Sequence, residues 1–158
     1  MMDSLSAQRC MAARILLIAD NALGMRARTV VLEELGYQVT AVRCRVQGLH
    51  LFAGNAFDLV VTECKMPDGI ELIERIREQK PAIPIVLISG FAEALGLDEA
   101  NTGADVVIQK NCYEESALRR AVGRLLAGRT RNSTVKITYK QLPMCSRRHF
   151  RRRSSSLN

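Results

Sequence analysis

Five short apolar runs recur along the chain, with room for one helix between each pair, and this rhythm constrains the fold more than any other feature. The runs lie at about 14–19, 38–42, 58–62, 84–88 and 105–109. Two of them, Ile15-Leu-Leu-Ile-Ala19 and Ile85-Val-Leu-Ile-Ser89, show the pattern best: apolar residues follow one another without a polar residue at alternate positions. A strand reads this way when helices cover both faces of its sheet. Helices are predicted between the runs, at about 22–35, 43–53, 70–79, 91–101 and 112–127. Five such βα units with right-handed crossovers imply a three-layer (βα)5 sandwich of the α/β class, with parallel strands in the order 2-1-3-4-5. That order opens a cleft where strands 1 and 3 part, at their carboxyl ends.

The helices carry their own signals. The first places Leu23, Ala27, Val30, Val31 and Leu35 on one face, expected to be the inner one, and Gly36 follows as a left-handed cap. The last is predicted to start at Asn111, with Glu114 completing a variant of the capping box. Its inner face is Ala117, Leu118, Ala121, Val122, Leu125 and Leu126, and it stops at Gly128.

Charge divides the chain. Residues 1–127 carry 14 Lys+Arg and 16 Asp+Glu, and residues 128–158 carry 9 Lys+Arg and no acid, so the net +7 belongs to the tail. The expected organisation is an N-terminal extension at 1–13, one domain at 14–128 and a basic, mostly disordered tail at 129–158. Within the tail, Val135-Lys-Ile-Thr-Tyr139 alternates enough for a weak strand, although nothing nearby closes a second core. Its uncompensated charge suits binding to a polyanion, either nucleic acid or an anionic membrane surface. Only Tyr139 and Phe150 are aromatic there, so base stacking is poorly supported, and an inert solvated extension remains an open alternative. Met1 and Met11 both stand as candidate starts.

Other classes are disfavoured. The cysteines, at 10, 44, 64, 112 and 145, form no C-x-x-C pair and have no clustered histidine, so free thiols in a reducing cytosol are expected. No apolar stretch approaches the roughly 18 residues of a membrane span. The N-terminus lacks a secretion-signal core, and a cytoplasmic protein is expected. No Ser-His-Asp arrangement, nucleotide-binding G-x-x-x-x-G-K-[ST] loop or flavin phosphate loop after strand 1 is present, so enzymatic activity is not expected. His50 reads as a surface residue, and Cys64 has no adjacent base to lower its pKa.

Four apolar runs end on polar residues, namely Asp20, Glu63, Ser89 and Lys110, and parallel packing would bring these to one edge. Here the chain resembles the receiver domain of bacterial two-component response regulators (CheY-like, flavodoxin-like in fold). The resemblance covers residues 14–127 and rests on Ile18-Ala-Asp-Asn21, Glu63-x-x-Met-Pro67, Ser89 and Lys110 in the expected order. It implies a phosphorelay module whose partner is a sensor histidine kinase or a downstream regulatory protein. It also carries an expected homodimer through the fourth helix, fifth strand and fifth helix. In that family two acids after strand 1 and an aspartate after strand 3 hold Mg²⁺, and the aspartate accepts the phosphoryl group. A Ser/Thr and the lysine contact that group.

This chain departs from the pattern. Ala19 stands in place of the first acid, Glu63 in place of the acceptor, and Val107 where the family usually has an inward-turning aromatic; the loop Met66-Pro-Asp-Gly69 is shorter than the commoner form. Asp20 and Glu63 are the remaining metal candidates, and the Mg²⁺ site is expected to be weak or lost, since Mg²⁺ demands near-octahedral oxygens. The extra methylene carries the Glu63 carboxylate outward by about 1.5 Å, towards Ser89 and Lys110. An ion pair with Lys110 at about 4 Å is worth on the order of 4 kcal/mol gross, before desolvation. The expectation is a degenerate receiver acting through protein contacts. The alternatives are a receiver that still accepts phosphate weakly and a polyanion binder acting through its tail. Plain structural readings stand beside each residue: a remnant salt bridge for Glu63 and Lys110, strand-end bonding for Ser89, a helix N-cap for Asp20 and ordinary packing for Val107.

Overall fold

A computed structural model describes residues 12–63 and 65–127. Residues 1–11 of the N-terminal extension, Cys64, the basic tail and its suggested strand at 135–139 lie outside the described residues. Strands β1 (Arg14–Ala19), β2 (Gln38–Val42), β3 (Leu59–Glu63), β4 (Ile85–Ser89) and β5 (Val106–Gln109) alternate with helices α1 (Ala22–Glu34), α2 (Arg45–Gly54), α3 (Asp68–Gln79), α4 (Glu99–Thr102) and α5 (Glu114–Leu126). All strands pair in parallel, in the order β2-β1-β3-β4-β5, as the pattern predicted.

Side-chain alternation along the strands builds a core on each face of the sheet. Leu16, Ile18, Val60 and Leu87 pack with Leu51 and Phe52 of α2 and Leu72, Ile73 and Ile76 of α3. Ile15, Leu17, Val61, Ile88 and Ile108 pack on the opposite face with Leu32 of α1 and Leu118, Ala121 and Val122 of α5. Both faces are therefore covered, which is why the strands read as unbroken apolar runs. Strand β3 ends one residue later than predicted, so Glu63 is a strand residue with a side that alternation fixes. Asp58, just before it, is buried, and its carboxylate accepts the Arg14 amide at 2.8 Å.

Four local expectations are corrected. Helix α1 turns a different face inward: Arg28 and Leu32 are its buried residues, and of the predicted face Val31 packs against the core while Leu23 and Val30 are 78% and 53% exposed. Its N-cap is Asn21, whose side chain accepts the amides of Leu23 and Gly24, and not Asp20. Gly36 does adopt the left-handed conformation, at φ 89°. The helix predicted over 91–101 is reduced to α4. A turn from Phe91 closes at Gly96, whose φ of 59° ends it, and Asp98 and Asn101 then cap a new short helix reciprocally. The Asn111–Glu114 capping box does not form: Asn111 accepts the Tyr113 amide, and Glu114 reaches across to Arg28. The thiol expectation also fails in part. Cys112 is free, but Cys44 is disulfide-bonded. Spacing along the chain cannot report which sulfurs the fold brings together.

Candidate functional site

Alternation places the key side chain. Leu59 and Val61 point to the α1/α5 face, so Glu63, the next residue of that parity, points there too. Ala19 is its register partner on β1 and shares its side with Ile15 and Leu17. A methyl group at that point leaves room beside the carboxylate. Lys110 follows β5 with the parity of Ile108, and its amide donates to the Ser89 carbonyl at 3.0 Å, fixing the strand ends against each other.

Glu63 is buried, and both of its carboxylate oxygens meet cations. Lys110 Nζ contacts Oε1, and Arg28 Nη1 donates to Oε2. Arg28 Nε donates to Glu114 Oε1 at 2.6 Å, so one guanidinium joins α1 to β3 and to α5. Gly24, one turn before Arg28, makes space for this: a Cβ there would lie 2.7 Å from Arg28 Nη1 and 3.3 Å from Glu63 Oε2. Lys110 is held below its ordinary value of 10.5, first by burial and then by the Arg28 guanidinium, against the opposing pull of Glu114 and Asp20.

Above the carboxylate lies a cavity of about 430 Å³, lined by Asp20, Asn21, Glu63, Lys65, Ser89 and Lys110, with Met66, Phe91 and Leu95 as apolar wall. Asp20, Glu63, Ser89 and Lys110 thus converge as the sequence implied. Ser89 Oγ is engaged by the Phe91 amide at 3.1 Å. Val107 stands apart: it is half-buried, pairs with Leu87 in register and packs in the core on the α2/α3 face, away from this cavity. His50 is exposed, in keeping with its reading as a surface residue.

Arg28 is the site residue that sequence reasoning missed. The inner face predicted for α1, Leu23, Ala27, Val30, Val31 and Leu35, leaves arginine out. The overlooked signal is the stripe Gly24–Arg28–Leu32, a small residue and a leucine one turn either side of a cation. It becomes legible only once an acid is known to lie across from it.

Comparison with known proteins agrees with the geometry. Residues 15–123 match the response regulator receiver domain family. The chain is 30% identical over 122 residues to the response regulator protein FleR of Pseudomonas aeruginosa, covering 75% of this chain and 25% of FleR, so it spans a quarter of that relative's length. A response regulator receiver protein from Sinorhizobium medicae superposes with a TM-score of 0.64 at 33% identity, over 75% of this chain and 97% of that one. The receiver domain of a sensor histidine kinase from Pseudomonas aeruginosa, solved with magnesium in its active-site cleft, shares the fold at 24% identity and a TM-score of 0.65, over 73% of this chain and 98% of its own. Strand order, cleft position and a family match over most of the chain coincide: this chain belongs to the response regulator receiver domain family.

Proposed function

We propose that this chain is a degenerate receiver of two-component signal transduction, one that works through contacts with a kinase or a downstream regulatory protein without cycling a phosphoryl group. The observation that carries this reading is the engagement of both Glu63 oxygens by cations within the fold. A phosphoryl acceptor needs an ionised oxygen free to attack the donor. Glu63 has none to spare, and its carboxylate is buried. With Lys110 it makes the contact that a phosphoryl oxygen would otherwise make, carrying one charge where a phosphoryl group brings nearly two.

The residues do not fit a divalent metal. Ala19 offers no oxygen, both Glu63 oxygens are held by cations, and Asp20 is then the one remaining carboxylate among the residues lining the cavity. Mg²⁺ requires oxygen ligands in near-octahedral array, and a guanidinium has no acceptor to offer it. Phosphotransfer therefore lacks a free nucleophilic oxygen and the metal that would assist it.

The test is incubation of the protein with a small acyl phosphate and Mg²⁺, followed by intact-mass analysis. The unmodified mass is expected throughout. A stoichiometric phosphoryl adduct on Glu63 would overturn the proposal and restore the reading of a weak acceptor.

A further inference from the structure

We propose that Arg28 is the resident cation of this site: its guanidinium, delivered by α1, supplies the positive charge that Glu63 requires, and makes the site indifferent to divalent metal. The inference deepens the degenerate-receiver reading by naming what replaces the metal, and it can fail separately from that reading.

Three features argue for a built arrangement. Arg28 is 6% exposed, and arginine is seldom buried this deeply without dedicated partners. It has such partners on two other elements, Glu63 on β3 and Glu114 on α5, each met by a different nitrogen of the planar fork. The surroundings are also cut to fit. Gly24 has no Cβ where one would stand 2.7 Å from Nη1, and Ala19 is small beside the carboxylate.

Charge counting then explains the exclusion of metal. Asp20, Glu63 and Glu114 supply three negative charges around the site, and Lys65, Arg28 and Lys110 supply three positive ones. No net negative charge is left to draw in a divalent ion. An ion bound at Glu63 would also have to displace a guanidinium that cannot give up its proton. The same residue is a mechanical tie. Because one side chain bridges α1, β3 and α5, the state of the Glu63 carboxylate is coupled to the spacing of the two helices on that face.

The experiment measures Mn²⁺ binding to the full chain by water-proton relaxation, and melting temperature with and without Mn²⁺, for the wild type, Arg28→Ala, Arg28→Lys and Gly24→Ala. The wild type is expected to show no saturable binding and no shift in melting temperature. Arg28→Ala should melt lower and recover part of the loss on adding Mn²⁺, with saturable binding at concentrations at least about tenfold below the highest at which the wild type shows none. Arg28→Lys keeps a charge and should stay indifferent to Mn²⁺. If Arg28→Ala does not fold, Gly24→Ala, which displaces the guanidinium without deleting it, should show the same gain in smaller measure. Saturable Mn²⁺ binding by the wild type would overturn the proposal, as would an Arg28→Ala protein (or, failing that, a Gly24→Ala protein) that gains none. Phosphoryl transfer to the wild type is read separately by mass: an adduct without Mn²⁺ binding would sink the degenerate reading and spare the role of Arg28, and binding without an adduct would do the reverse.

Discussion

Lys110, Glu63, Arg28 and Glu114 form, in that order, an alternating series of charges drawn from separate parts of the chain. A lone buried carboxylate would be costly; the two cations offset part of that cost, each at a desolvation cost of its own. Lys110 gives this balance a measurable pH signature. Burial and Arg28 keep its pKa below 10.5, so the unfolded chain binds the Lys110 proton more tightly than the folded one. Stability linked to this group therefore rises with pH: its cost is fully present below the folded value and is relieved as pH climbs from there to 10.5. Urea denaturation of the wild type and Lys110→Met, from neutral pH upward, should show the difference moving in favour of the wild type. A difference that moves the other way would show that the contact with Glu63 governs the titration.

Helix α1 illustrates how an element is assigned by what it packs against. Its apolar residues spread around much of the helix, and the sheet selects the face that brings Leu32 into the α1/α5 core and Arg28 over Glu63. Leu32 is fully buried, so Leu32→Ala should cost about 2–5 kcal/mol. Leu23 is 78% exposed, and Leu23→Ala should stay within about 0.5 kcal/mol. Chemical denaturation of the pair decides between the observed face and the one the sequence pattern favoured; a larger loss for Leu23→Ala than for Leu32→Ala would point to the latter. The shortened α4 has a similar origin. Helical propensity over 91–101 is unremarkable, and a glycine at positive φ together with the Asp98 cap is enough to divide the segment. The result leaves Phe91 and Leu95 exposed at the mouth of the cavity.

At the scale of the molecule, an acidic receiver is joined in sequence to a strongly basic segment: the net charge is −2 over 1–127 and +9 over 128–158, which sum to +7. If that segment binds polyanions, affinity for duplex DNA should fall steeply with salt in the full chain and vanish in a chain ending at Gly128. Fluorescence anisotropy at low and moderate salt would show this, and unchanged affinity after truncation would assign binding to the receiver or dismiss it. Among the described residues no helix is long and apolar enough to cross a membrane.

The chain's own pattern was sufficient for the layers, the strand order and the meeting of Asp20, Glu63, Ser89 and Lys110, because unbroken apolar runs and their polar ends are local properties that parallel packing translates directly into one cleft. Arg28, the inner face of α1 and the Cys44 disulfide were settled only in three dimensions. The reason is physical: whether a buried arginine is a defect or a partner depends on the charge opposite it, and that charge lies 35 residues away along the chain.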